Sequence, residues 1–585
     1  VAETARAVLD RTGVDRGYAL VFGAGHRGLA LELARASDLN VVIAEPDPAA
    51  VRKARLFLYR AGAHGARVTV LEGGDEGGAL PLTSGTINLL VSAGSLPESE
   101  VQRLLVPGRG KAFSIADERM VDRPRLPGSG DWTHQYGDAG NSSSSGDQLA
   151  GATATGDYSI AWVGRPGADF GIDRNPRMPA PLSAGGRLFH QGMNRMAALD
   201  AHNGAVLWSL EVPDLRRVNV PRDSSNWCAD GNELFVAIRD RAWVLDAETG
   251  ERKRTLPLAP GELAGEGFDW GYIAREGPML VGSAVRREAG YSNFWGKQRW
   301  FDGKAGEAGT EKVCSDSLFG YSLDSAGDEP AWVYRKGVLL NATISASDGR
   351  VYFVETRNPA VLEGQKRRLA GPALWQEQFL VALDARSGEL LWERPIDIEH
   401  GRVSVYLQAA EGRLLLATSN TQFHLYTFDA QSGEPGWTKS VAWADDHHSG
   451  HIQHPVVTGG MVFLQPNGIR LADGEVLTSN LGRREGCHTY VGAGGALLYR
   501  GQNRRVSLWD KETETVSSWP RLRPSCWLST IPASGMLLMP EAGGGCSCGG
   551  WMETSIGFLP SVYLGDQLAG AEGRSDGKGA DDASE

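Results

Sequence analysis

Cysteine is scarce, at six residues in 585, and it is dispersed as Cys228, Cys314, Cys487, Cys526, Cys546 and Cys548. No Cys-x-x-Cys-His run occurs, so covalent haem c is not expected. No apolar run reaches the roughly 18 residues of a membrane-spanning helix, so no transmembrane segment is expected. Cationic charge is also short. The net charge of -12 argues against broad nucleic-acid binding while leaving room for a local basic site. A Gly-x-Ser-x-Gly elbow and a phosphate-binding loop ending in Gly-Lys-Ser/Thr are both missing, which removes support for hydrolase and nucleotide-hydrolysing readings. The chain begins at Val1 without Met or a signal peptide, which reads as a targeting segment removed or as part of a longer product.

Glycine and tryptophan are abundant instead, at 76 and 17 residues. A recurring phrase accounts for several of them. It runs Leu199-Asp200-Ala201-His202-Asn203-Gly204 with Leu207-Trp208, then Leu245-Asp246-Ala247-Glu248-Thr249-Gly250. It returns as Leu383-Asp384-Ala385-Arg386-Ser387-Gly388 with Trp392, and as Phe428-Asp429-Ala430-Gln431-Ser432-Gly433 with Trp437. Each copy reads as a strand end, a tight turn and a second strand, and a period near 40 residues points to a propeller or solenoid. Turns at Asp200, Asp246, Asp324, Asp384, Asp429, Asp473 and Asp510 count seven repeats. The orphan strand Ser159-Ile160-Ala161-Trp162-Val163 and the strand-like runs Ile531–Met539 and Ser555–Leu559 together predict an eighth blade that closes the ring without a covalent turn. Seven blades is the alternative. The region 261–316 is longer than one blade needs and predicts an inserted loop.

Residues 1–116 have a different pattern. Tyr18–Phe22, Val41–Ala44, Val68–Leu71 and Ile87–Ser92 read as strands alternating with helices, including Val51–Tyr59, which indicates a parallel α/β sheet. Residues 117–156, Arg/Pro-rich and then Gly/Ser-rich, read as a linker most flexible at Asn141–Gly146. Repeats fill 157–563, and 564–585 reads as a disordered tail.

The repeat resembles the tryptophan-docking blades of pyrroloquinoline quinone dehydrogenases and other quinoprotein-like propellers, whose pattern is Ala-x-Asp-x-x-Thr-Gly-x-x-x-Trp. Asp131-Trp132, Tyr136, Asn141 and Ser143 resemble the residues that open such propellers. The resemblance implies a packing role for these positions, the indole lying between blades and Gly permitting the turn. Quinone-dependent members place adjacent cysteines beside the quinone. Only Cys546-Ser547-Cys548 is present here, so bound quinone is not expected. Relatives without a cofactor include the scaffold lipoprotein of outer-membrane assembly.

The first 116 residues resemble a class I S-adenosylmethionine-dependent methyltransferase. Gly23, Gly25 and Gly28 stand in its Gly-rich loop, Glu45 where an acid meets the ribose, and Asp75 on the adenine side. Asn88 replaces the usual acid of the fourth strand, and Val106-Pro107-Gly108 matches the turn before the fifth. The resemblance implies S-adenosylmethionine as candidate ligand. The sheet ends near residue 116, before substrate-binding strands, so the expected head is truncated or degenerate. The fold class is therefore a truncated Rossmann-like α/β head followed by an all-β eight-bladed propeller.

Two clusters could carry chemistry. His448, His451 and His454 could converge on a metal, with a hydrogen-bonded polar loop as the alternative. Cys487, Cys526, Cys546 and Cys548 are expected to form two disulfides among themselves, and Cys228 to pair with Cys314, which implies export to a periplasmic or extracellular compartment. A Cys/His metal site and ordinary buried thiols are the alternatives. The expected function is an exported binding or scaffold protein that engages a protein partner through its propeller faces. A methyltransferase acting through the head and a quinone- or metal-dependent oxidoreductase are the alternatives.

Overall fold

The computed structural model describes residues 1–567 apart from 74–78, 93–95, 168–178, 193, 216–225, 259–266, 288, 291–310, 399–402, 444–452, 486–487, 521, 523–526, 529 and 542–553. The expected tail beyond 567 lies outside them. The chain divides into two compact units. One holds Val1–Leu126 with Gly156–Ala161 and the residues from Phe558 onward; the other holds Pro127–Thr155 and Trp162–Gly557.

The first unit is an α/β sheet. Its strands are β1 (Arg16–Phe22), β2 (Asp38–Glu45), β3 (Val68–Glu72), β4 (Leu89–Ser92), β5 (Lys111–Ser114) and β6 (Met120–Asp122). They lie in the order β3-β2-β1-β4-β5-β6, parallel except for β6. Helices α1 (Ala2–Thr12), α2 (Arg27–Ala36) and α3 (Pro48–Arg60) pack one face through Val8, Leu33, Val51 and Leu58. The short helix α4 (Glu98–Leu104) packs the other face with Leu20, Leu90 and Leu104. Asp47 caps α3 by accepting from Ala49 and Ala50 N–H, and Pro48 presets its first turn. Asn88 ties the start of β4 to β1, its side-chain oxygen accepting from Tyr18 N–H at 2.9 Å. The sheet does not stop near 116. A hairpin adds the antiparallel strand β6 directly after β5.

The second unit is a β-propeller. The first strands of successive sheets touch one another, which makes them the inner wall of a ring. Middle strands such as Arg413–Ser419 are mostly apolar and buried beyond Arg413 because neighbouring blades cover both faces. Outer strands such as Pro435–Val441 are partly exposed. The tie Ser183 Oγ to Ser534 Oγ, at 3.3 Å, spans the joint between the last sheet and the first. The last sheet takes Tyr158–Gly164 as its outer strand beside Ser555–Pro560.

Among the described residues, seven of the ring's sheets are regular four-stranded blades, one fewer than the eight expected. The remaining position holds a seven-stranded sheet instead. One of its three added strands comes from the inserted region. Lys312–Ser315 leaves the third blade's path and pairs with Val338–Leu340 and Arg368–Leu369.

At five joints a tryptophan of one outer strand lies on the turn glycine of the next blade: Trp162 on Gly204, Trp208 on Gly250, Trp332 on Gly388, Trp392 on Gly433 and Trp437 on Gly474. Four of these indoles also donate to a turn carbonyl, those of Ala201, Ala247, Ala385 and Leu471, at 2.8–3.0 Å. Trp392 does not, because Tyr352 Oη already donates to Ala430 O in that joint.

The expected linker is corrected. Residues 127–155 belong to the propeller, and Trp132 and Ser143 are fully buried. The segment is held because it finds backbone partners on the inner strands, as described next.

Candidate functional site

The inner wall of the ring is lined by a thread, residues 130–147, that visits every sheet in order. Gly130 O accepts from Ser534 N–H of the last sheet, and Trp132 exchanges two bonds with Ser183 of the first. Thr133 O accepts from Ala229, His134 Nε2 from the Arg275 N–H at 3.1 Å, and Ala139 O from Ala346. Gly140 O, Ser142 O and Ser143 O accept from Ala409, Val457 and Gly492. The circuit ends where it began. Asp147 Oδ2 accepts from both Gly130 N–H (3.0 Å) and Gly535 N–H (2.7 Å). Gly140 is obligatory in this path, since a Cβ there would stand 2.1 Å from Ala409 O.

Behind the thread lies a polar, aromatic chamber. Tyr136 stacks on His454 with ring centroids 3.7 Å apart, and Tyr406 packs against the same imidazole at 4.7 Å. Trp527 Nε1 donates to Tyr136 Oη at 3.1 Å. His454 Nδ1 lies 2.9 Å from Ser143 Oγ and 2.8 Å from Pro455 O. Gln408 Nε2 donates to Asn141 O and Pro455 O. Between Tyr136, Tyr272, Asn341 and Tyr406 a space of about 20 Å³ remains, enough for one water.

The electrostatics of the chamber have one direction. Burial, helped by the charge of Arg275, lowers His134 to about 3. Burial alone lowers His454 to about 3. Burial raises the Tyr136 and Tyr272 phenols far above their ordinary range. All four groups are uncharged at neutral pH. The chamber offers aromatic faces and hydrogen bonds, and none of the four titrates near 7, as an efficient general base would.

Of the sequence-derived candidates, His454 enters this chamber, while His448 and His451 lie outside the described residues. His454 directs Nδ1 to the thread's Ser143 and to Pro455 O. Among the described residues no group of three His, Cys, Asp or Glu converges. Cys228 and Cys314 are not a disulfide. Cys228 packs with Phe235 and Trp270, whereas Cys314 packs with Leu340 and Leu374 in a separate core, so the inserted strand carries the two thiols apart. Cys487, Cys526, Cys546 and Cys548 lie outside the described residues. Sequence reasoning missed His134, Tyr272, Asn341 and Tyr406. The only signal was the opening motif Asp131-Trp132, Tyr136, Asn141 and Ser143, all of which lie on the thread.

In the head, Gly23 has φ +94° and follows β1, and Gly25 is open, with no protein atom within 4 Å of a Cβ built there. That opening fits the approach of a ligand to the loop. Gly28 instead sits near Val1. Glu45 ends β2, but its Oε1 accepts from Asp47 N–H at 3.0 Å. Asp75 lies outside the described residues.

By their sheets, the two units are a β-propeller and an α/β head. The family model described as outer membrane protein assembly factor BamB matches residues 376–502. A quinohemoprotein alcohol dehydrogenase from Pseudomonas putida is similar in structure at 12% identity and TM-score 0.47, covering 74% of this chain and 80% of that one. Over the head, an S-adenosylmethionine-dependent methyltransferase from Methanococcus maripaludis is similar at 22% identity and TM-score 0.18, covering 19% of this chain and 53% of that one. A sarcosine dimethylglycine methyltransferase from Galdieria sulphuraria is similar at 23% identity and TM-score 0.17, covering 19% and 44%. No protein of curated function matches the chain in sequence.

Proposed function

We propose that this protein is an exported binding or scaffold propeller whose faces engage a protein partner, with a head that does not transfer methyl groups. The observation that carries the reading is the thread. The inner wall is occupied by the chain itself, and its His134, His454, Tyr136 and Tyr272 are held neutral by burial. Such an arrangement rigidifies a ring for presentation. In this reading the seven-stranded sheet counts as an enlarged fourth blade of eight, its four-stranded part being Ser345–Ser347, Arg350–Thr356, Gln378–Asp384 and Leu390–Ile396. An envelope location is supported by the family match over 376–502.

The head reading rests on the hairpin strand β6, which takes up the edge of the sheet directly after β5. S-adenosylmethionine remains its candidate ligand through Gly23, Gly25 and Glu45. Cross-linking of the native protein in its own cells, with mass spectrometry, is expected to recover a reproducible protein partner linked to propeller residues. Methyl transfer, or reduction of an electron-accepting dye, that co-purifies with the chain and is lost on Glu45→Ala or Tyr136→Phe respectively would overturn the proposal.

A further inference from the structure

The outer face of α3 has a composition unlike the rest of the molecule. Val51, Ala54 and Leu58 point inward and are fully buried. Every other residue from Arg52 to Arg60 is exposed. Those residues are Arg52, Lys53, Arg55, Leu56, Phe57, Tyr59 and Arg60, so the helix carries four cations and no acid in a chain of net charge -12. Arg55 is committed inward, donating to Val70 O. Arg52, Lys53 and Arg60 are left on the outer surface. Between them stand three large apolar side chains that a water-facing helix would not ordinarily present: Leu56 is 50% exposed, Phe57 40% and Tyr59 74%. Spacing places Arg52, Leu56, Tyr59 and Arg60 on one stripe, with Lys53 and Phe57 beside it. The Arg27 guanidinium stands 5.4 Å over the Phe57 ring, which extends the cationic surface onto α2.

We propose that this face of α3 binds an anionic lipid surface. The cations meet headgroup phosphates, and Leu56, Phe57 and Tyr59 enter the boundary between headgroups and acyl chains. Both components of interfacial binding are present, apolar side chains for insertion and basic side chains for attraction. The face is a convex helix ridge, so it offers no groove to hold an extended acidic peptide. A fluid bilayer deforms around a ridge, and therefore suits it better.

The test is flotation of the full chain with vesicles of phosphatidylcholine alone and of phosphatidylcholine with about 30% phosphatidylglycerol, at about 0.1 M and 0.5 M salt. The expected result is binding to the anionic vesicles that weakens at high salt. The double variants Arg52→Glu/Lys53→Glu and Leu56→Ser/Tyr59→Ser should each bind at least about tenfold more weakly, at roughly fivefold per basic residue near the surface. Both pairs are exposed, and unchanged circular dichroism would show that the fold survives. Arg386→Glu, an exposed charge on the propeller, should bind like wild type. Absence of flotation, equal binding of the variants, or equal binding to neutral vesicles would overturn the proposal. Capture on polyglutamate beads without vesicle binding would also overturn it and assign the face to an acidic protein.

Discussion

The ring is held in two ways that differ between its rim and its inner wall. At the rim, one local device is repeated, the tryptophan on a turn glycine, and it serves five joints. The remaining joints use what is at hand. Between the second and third blades, Arg254 donates to Ser325 O and Gly327 O, and Tyr321 Oη donates to Pro257 O. Between the sheet of Val456–Thr478 and that of Val491–Ser518, Asn480 Nδ2 donates to Glu514 Oε2 at 3.2 Å. At the inner wall a single aperiodic segment touches every sheet in turn and closes on Asp147, back at the last sheet where it began. The rim device is modular and can be lost at individual joints. The thread is collective, and its register depends on every blade being in place.

The largest effect expected at the rim is from Trp332→Ala. Trp332 is buried, lies against Gly388 and donates to Ala385 O, so truncation leaves a cavity and an unpaired carbonyl worth about 3–5 kcal/mol. Arg254→Ala, by contrast, should cost about 1 kcal/mol, since its bonds are exposed to water. Thermal and urea midpoints of the two variants measure the difference. Equal losses would mean that the arginine joint is as strong as a docked one, and the division of the rim would fail.

The next effect separates the wall from the rim through pH. His454 titrates near 3 when folded and near its ordinary 6.5 when unfolded. As pH falls below about 6.5 the unfolded chain gains a proton that the folded chain refuses. Stability is therefore present above that value and is lost as pH falls toward about 3, at about 1.4 kcal/mol per pH unit for this group. His454→Phe keeps an aromatic ring against Tyr136 but cannot titrate. Its melting temperature should decline less steeply than wild type from pH 6.5 to 4.5, whereas Trp332→Ala should keep the wild-type slope. Parallel slopes for His454→Phe and wild type would show that burial of the thread is not coupled to protonation there.

The same division explains what was legible. The rim device is local in sequence, a turn and a tryptophan at fixed spacing, so the propeller could be read from Asp200, Asp246, Asp384 and Asp429. The closing strand at Trp162 was legible because a blade end without a beginning has one place to go. The thread was misread as a linker because Asn141-Ser142-Ser143-Ser144-Ser145 is locally a flexible composition. Its order comes from backbone partners hundreds of residues away, such as Ala409 and Gly492. Composition reports local preference, and here tertiary pairing overrides it. The Cys228–Cys314 pairing failed for a related reason: the insertion moves Lys312–Ser315 into another sheet, a displacement no spacing rule carries. In the head, α/β alternation fixed the strands, while Asn88 showed its role only once its bond to Tyr18 was seen.

The last comparison, which contains the smallest single effect, asks why the rim glycines are glycine. Two reasons compete: the left-handed backbone, and the space taken by the indole. The sheet that runs from Val491 to Ser518 separates them. Its turn at Asp510 puts Glu514, φ +54°, in the left-handed region, and the neighbouring outer strand Val476–Thr478 contains no tryptophan to dock on it. Backbone conformation alone therefore does not demand glycine. At Gly388, φ +71°, an added Cβ would stand 2.5 Å from Trp332. Glu514→Gly should relieve roughly 1 kcal/mol of left-handed strain, lose roughly 0.5–1 kcal/mol to unfolded-chain entropy and lose roughly 0.5–1 kcal/mol with the exposed Asn480 bond, so it should cost no more than about 1 kcal/mol. Gly388→Ala should cost about 3 kcal/mol or more, because Trp332 must leave its seat. Adding Trp332→Ala to Gly388→Ala should then remove most of the alanine's own penalty, since the clash has no second partner. If Gly388→Ala is as mild as Glu514→Gly, or if the double variant shows simple additivity, the indole is not what selects glycine at the docked turns.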